Sequence, residues 1–318
     1  MTAAAAGSGP GAGVGMIDVS ASVAAAIADG QPVVALESTV FSRLGLPAAA
    51  GAEAFRRAGG AVRAAGAVPA LTVVLDGTAR VGVTDGELPR VLAADRKVAE
   101  RDLPVAVGQR WPAAATTVSA SLALAAAAGI GVFATGGIGG VHRDVAETAD
   151  ESADLGALAR HPVVTVCAGA KSFLDLPRTL ERLETLGVPV VGLGTDGGAF
   201  PGFWSRRSGG PVVPHEASSA GEAAAVVRAA RALGYGGGVL VVTPVPEADE
   251  VPYEELGPVI DAALAEAAAA GARGGAVTPF VLERIATATG GRTVAANVAL
   301  VEHNAAVAAA IAVALAGC

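Results

Sequence analysis

Short β-branched runs recur along the chain with longer segments of helical character between them, and this alternation restricts the fold more than any other feature. The runs fall at residues 32–36, 70–75, 79–83, 131–134, 163–167, 188–191 and 239–242. Helices are expected over 48–65, 117–128, 146–160, 177–186, 219–233, 253–270, 279–287 and 294–316. Strands that alternate with helices pair through crossovers, so the pattern predicts an α/β fold with a mixed, mostly parallel central sheet covered by helices on both faces. The antiparallel part is expected at Asp76-Gly77, a hairpin dipeptide between two runs. Ligands of such sheets bind at the carboxyl ends of strands, which makes the residues just after each run the first candidates for chemistry.

One domain is expected over 17–318, because no domain-scale linker or sustained repeat interrupts the pattern. Residues 1–16 are rich in Gly and Ala without a basic start, which predicts a disordered leader and not a signal peptide; Met16 is an alternative start. The apolar run 305–316 is shorter than the ~20 residues of a membrane span and is expected to be a buried helix, with no membrane partner. The longest irregular stretch is 194–214, and loops of that length are usually functional or mobile. A net charge of -8 with only 3% aromatic residues argues against a phosphate-backbone or base-stacking surface, so no nucleic-acid partner is expected, while a local basic pocket for a small phosphorylated ligand stays open. Cys167 and Cys318 offer neither a disulfide framework nor zinc spacing, which implies a reducing, cytoplasmic setting.

Only Lys97 and Lys171 are lysine among 22 basic residues; the others are arginine. Arginine serves on a surface but cannot be deprotonated for imine chemistry, which singles out both lysines. Lys171 closes the run VVTVCAGA, where apolar walls disfavour the ammonium form and Ala168, Gly169 and Ala170 leave room for a ligand. A neutral amine there is a nucleophile for a sugar carbonyl carbon. The alternative is a snorkelling lysine paired with Asp175 at i+4. Lys97, among Asp95, Arg96, Glu100, Arg101 and Asp102, fits the charged face of a surface helix. Glu37, after PVVAL, is either a strand-end carboxylate with a chemical role or a helix cap.

The glycines of ATGGIGGVHRD do not have dinucleotide-loop spacing, although their N–H groups could cradle a phosphate or carbonyl oxygen. In DVAETADESADL, a continuous helix would place Glu147, Asp150, Glu151 and Asp154 on one face. Such carboxylates suit Mg²⁺ or Mn²⁺, or else complement a helix dipole.

The segments LESTVFSRLGLP, KVAERDLPVAV, TTVSASLALA, VFATGGIGGVHRDVAETADESADL, VCAGAKSFLDLPRTLERLETLGVPVVG and AVTPFVLERIATATGGRTVAANVALVEHNA resemble the pseudouridine-5'-phosphate glycosidase family in order and content. The resemblance implies reversible cleavage of pseudouridine 5'-phosphate to uracil and ribose 5-phosphate by a Mn²⁺-dependent homotrimer. It makes Lys171 the covalent nucleophile, Glu37 the proton donor and Asp150 the metal ligand. Lys97, Val118, Ser152, Ala153 and Asp154 match substrate-binding positions, with Thr117, His142 and Asn297 as further pocket residues. Two departures stand out. Trp111 to Ala115 replaces a Gly-Gly pair and is expected to reshape the phosphate loop; Gly51 replaces an Asn and is expected to loosen the pocket near Glu37. A related indigoidine-pathway branch shares the fold. A Schiff-base lyase or aldolase on another phosphorylated sugar, or a non-catalytic sugar-phosphate binder, is the alternative function.

Overall fold

A computed structural model describes residues 17–317. The expected leader therefore lies outside the described residues, as does Cys318. Eleven strands form one sheet: β1 (Ile17–Val19), β2 (Val33–Leu36), β3 (Val68–Leu75), β4 (Thr78–Val81), β5 (Lys97–Val98), β6 (Ala113–Thr116), β7 (Val132–Ala134), β8 (Val164–Cys167), β9 (Val190–Leu193), β10 (His215–Ala217) and β11 (Leu240–Val242). Their main order is β1-β4-β3-β2-β7-β8-β11-β9-β10, with β6 on β3 and β5 on β6. From β2 through β10 every pairing is parallel. The β3–β4 hairpin is antiparallel, and Asp76 and Gly77 both hold positive φ, 52° and 75°, as a type I′ turn requires.

The parallel strands are short and buried on both faces, which explains their unbroken Val, Leu and Ala content. On one side helix Arg292–Ala316 lies against β2, β7 and β8 and carries helices Ala48–Ala64 and Ala220–Ala232; helices Val118–Ala127 and Ala153–Arg160 pack together on the sheet's other side. The C-terminal helix runs 25 residues, close to the expected 294–316, and contains the apolar run 305–316. By length and hydropathy it could cross a membrane, yet more than half of its most apolar window is buried by the protein, as in a core helix. Its small Ala side chains allow helix Ala48–Ala64 to pack close against it.

Three local predictions fail for identifiable reasons. The helix expected over 146–160 is broken: Ala149 takes a left-handed conformation (φ 55°), Glu151 bridges to Val141, and Ser152 caps a new helix by accepting from Asp154 N at 3.2 Å. The four acids consequently do not share a helical face. Lys97 sits in β5 and not on a helix, paired with Ala115 of β6. Gly51 does not loosen the pocket: a Cβ there would stand 2.2 Å from the Phe41 carbonyl oxygen, so the glycine lets the helix close onto the segment after Glu37.

Candidate active site

Three neighbouring strands, β2, β7 and β8, end at the same place and deliver Glu37, Thr135 and, through a short turn, Lys171. Glu37 is 7% exposed, and the Thr135 hydroxyl donates to its Oε1. Burial pushes the Glu37 carboxyl up to about 7, raised further by the charge of Asp154 and held back by Lys171, the Thr135 hydrogen bond and Lys97. Half-buried Lys171 donates from Nζ to the Gly137 carbonyl at 3.1 Å.

The small residues before Lys171 do something other than make room for a ligand. Gly169 has φ 78°, and a Cβ on it would meet the Pro201 carbonyl at 2.1 Å. Phe203 N donates to Ala168 O at 3.0 Å, while Phe200, Phe203 and Trp204 are buried. The stretch 194–214 is thus in part a plug behind the lysine segment, and Ala168 to Ala170 accommodate it. Trp111, likewise, does not line the cavity. It lies at the start of β6 beneath the Arg96 guanidinium, 3.8 Å from the ring centroid, while the cavity is met at the other end of that strand by Thr117 and Val118.

The cavity over these strand ends measures about 360 Å³. Glu37, Lys97, Thr117, Val118, His142, Asp150, Ser152, Ala153, Asp154 and Lys171 all line it, so ten of the eleven sequence-predicted site residues are brought together. Asn297 is the exception; it is buried on the C-terminal helix and its Oδ1 accepts from Trp204 Nε1 at 2.8 Å. Two helix N-termini open onto the cavity, one capped at Thr117 and one at Ser152, and first-turn N–H groups favour anions. Asp154, 6% exposed, locks this wall: Oδ1 accepts from Ser119 N at 3.0 Å and Oδ2 from Gly139 N at 2.9 Å. The glycine loop's Gly139 N–H therefore serves the protein's own carboxylate.

On the outer rim, Lys97 Nζ donates to Gly275 O at 3.4 Å. Lys97 keeps solvent exposure by area, yet enough protein surrounds its amine that desolvation, then the charge of Lys171, lowers its pKa. Asp150 Oδ2 stands 3.9 Å from His142 Nε2. Glu151, by contrast, is engaged by Arg182 at 2.8 Å. Among the described residues no three His, Cys, Asp or Glu side chains gather into a metal cage. On its own, Asp150 could hold only a hard ion that keeps most of its waters, as Mg²⁺ and Mn²⁺ do.

Sequence reasoning missed Thr135, Arg101, Thr39 and the 274–278 segment. Thr135 had a usable signal, since it directly follows a strand run. The other contacts come from a turn at Thr39, a 3₁₀ helix at Arg101 and the 3₁₀ start of helix Val277–Ala288, whose placement only the fold fixes.

The sequence profile of the family described as indigoidine synthase A like protein matches residues 22–314. A pseudouridine-5'-phosphate glycosidase of Methylobacterium nodulans is 52% identical over 302 residues, covering 94% of this chain and 88% of the relative. The chain belongs to this family of pseudouridine-5'-phosphate glycosidases and indigoidine synthase A-like proteins. Another glycosidase of the family, from Nocardioides sp., is 50% identical over 293 residues, covering 91% of this chain and 94% of the relative. Among solved structures, the prealnumycin C-glycosynthase AlnA in complex with ribulose 5-phosphate matches with a TM-score of 0.85 and 35% identity, covering 95% of this chain and 97% of that one. The fold is therefore shared with a protein described as a C-glycosynthase.

Proposed function

We propose that the chain is an enzyme that reversibly cleaves the C–C glycosidic bond of pseudouridine 5'-phosphate, giving uracil and ribose 5-phosphate, through a covalent Lys171 adduct. What supports this most is the pairing of Lys171 with Glu37 at one cavity, where a carboxyl with a pKa of about 7 keeps a substantial protonated fraction at neutral pH. A carbon leaving group cannot be released by protonating a glycosidic oxygen, so the two-carboxylate route of ordinary glycosidases does not apply.

The free Lys171 amine attacks C1' while Glu37 protonates the departing ring oxygen, which opens the sugar and leaves a C1'–N bond. The ammonium adduct loses a proton; protonation at the uracil carbon then lets the C1'–C bond break with its electron pair returning to the uracil ring, while the nitrogen lone pair forms an iminium at C1'. Water adds to the iminium and releases ribose 5-phosphate with Lys171 restored. Thr117, Val118, Ser152 and Ala153 offer their helix ends to the phosphate, and Lys97 contributes positive charge at the rim. Asp150, with His142 nearby, would hold a Mn²⁺, which supplies charge neutralisation for the phosphate dianion. The enzyme is further proposed to work as a cytoplasmic homotrimer; buried, free Cys167 suits a reducing compartment, and solution mass determination tests the assembly.

Borohydride reduction in the presence of ribose 5-phosphate, followed by mass mapping, tests the mechanism. A reduced ribityl adduct is expected on Lys171, and its absence there overturns the imine route. Uracil release from pseudouridine 5'-phosphate, with and without Mn²⁺ and beside other C-ribosides, tests substrate and metal together.

A further inference from the structure

The acid and the nucleophile come from different strands but are tied to one turn. Thr135 donates its hydroxyl hydrogen to Glu37 Oε1, and two residues later the Gly137 carbonyl accepts from Lys171 Nζ. The turn is pinned from behind by Asn304, which is fully buried on the C-terminal helix and donates from Nδ2 to Thr135 O at 2.8 Å and to Gly136 O at 3.1 Å. It is also stitched to the strand that leads to Lys171, through Thr135 N to Val166 O at 3.0 Å and Ala168 N to Gly136 O at 2.9 Å. There is no slack on the far side either: a Cβ on Gly137 would lie 2.6 Å from the Phe203 ring.

We propose that Thr135 and Asn304 are positioning residues of the reaction, Asn304 fixing the turn and Thr135 fixing the Glu37 carboxyl relative to the Lys171 amine. This rests on Glu37 being the acid of the proposed mechanism. With the Thr135 hydrogen on Oε1, the transferable proton sits on Oε2 and passes from there to the sugar ring oxygen. The carboxylate left behind keeps the Thr135 hydrogen bond, which strengthens as charge develops and so favours the transition state over the ground state. The other charged groups acting on Glu37 are Lys171, Asp154 and Lys97.

The test compares Thr135→Val, which keeps shape and loses the hydroxyl, with Thr135→Ser, which restores it. Thr135→Val is expected to lower kcat about 10- to 100-fold with KM within about twofold, the loss of a hydrogen bond to a charged group. Its alkaline activity limb should move up by roughly one pH unit, as should the Glu37 carboxyl titration followed by carbon-13 NMR without substrate. Thr135→Ser should return all three readouts toward wild type. Asn304→Leu should lower kcat and also slow borohydride trapping at Lys171, because it frees the turn that serves both groups. Should Thr135→Val not fold, Thr135→Ala provides the same readouts. An unmoved Glu37 titration and unchanged kcat in the hydroxyl-free variant, beside an impaired Glu37→Gln, overturn the positioning role alone. Wild-type turnover by Glu37→Gln brings down the acid assignment itself.

Discussion

The inner and outer walls of the cavity are built differently. Glu37, Thr135 and Lys171 stand at the ends of three adjacent parallel strands and are held by a fully packed turn and a core helix. Lys97 stands on a two-residue strand, Arg101 and Gly275 on single-turn 3₁₀ helices and Asp150 on a loop, with solvent on one side. Covalent chemistry needs reacting atoms placed within a fraction of an ångström, which short buried strands provide. Phosphate and metal contacts act over longer distances and tolerate a softer rim. Substitutions in the inner wall should therefore affect kcat most, and those at the rim should affect binding and metal dependence.

The strongest way to break this contrast is Lys171→Arg. Arginine keeps the charge and cannot become a free amine, so uracil release should fall roughly 10⁴-fold or more while circular dichroism stays native. Near wild-type turnover would reduce Lys171 to an electrostatic contact and place the inner wall on a par with the rim.

Glu37→Gln comes next, with a loss of roughly 10²- to 10⁴-fold in kcat. It also carries a pH signature. In wild type, cleavage should decline as pH rises through about 7, because the acid loses its proton, and this limb should vanish in the variant. Stability follows the same group. Its folded pKa lies above the ordinary 4.5, so the folded state binds the extra proton between 4.5 and about 7, and stability falls with rising pH across that window. Relative to Glu37→Gln, wild type should lose about 3 kcal/mol between the two ends of the window, measured by urea unfolding at several pH values. A parallel pH dependence in the two proteins would mean that Glu37 is solvated.

At the rim, Asp150→Ala should lower activity about 10²-fold, with added Mn²⁺ giving little recovery, since it loosens substrate placement and spares Lys171. Borohydride trapping by ribose 5-phosphate should survive at high sugar concentration. Full activity of this variant without metal would exclude a metal at Asp150.

Within the inner wall, Glu37 and Lys171 were legible in the sequence, while Thr135 was not. Strand ends declare themselves through β-branched runs, and the scarcity of lysine pointed to residue 171 before any fold was available. The rim was opaque because its geometry comes from exceptions to local pattern. A left-handed alanine at 149 breaks a stretch with helical periodicity, and nothing in ETADES announces it. The charged surroundings of Lys97 imitate a helix face, while pairing with β6 makes a strand of two residues. Ala168-Gly169-Ala170 illustrate a third limit: small residues signal close approach, but only the fold reveals that the approaching group is the protein's own Pro201 carbonyl.

Asn297 tests the boundary between wall and core with the smallest effect. Its carbonyl oxygen accepts from Trp204 Nε1 in the packed layer behind Lys171, away from the cavity lining. Asn297→Ala leaves that indole N–H buried without its acceptor, which should cost about 1–3 kcal/mol in unfolding free energy. Because Trp204 belongs to the plug that backs the lysine segment, kcat should drop severalfold at most and KM should hold. A large rise in KM at unchanged stability would instead put Asn297 in direct contact with substrate, and the cavity wall would then have to extend through the plug when the sugar binds.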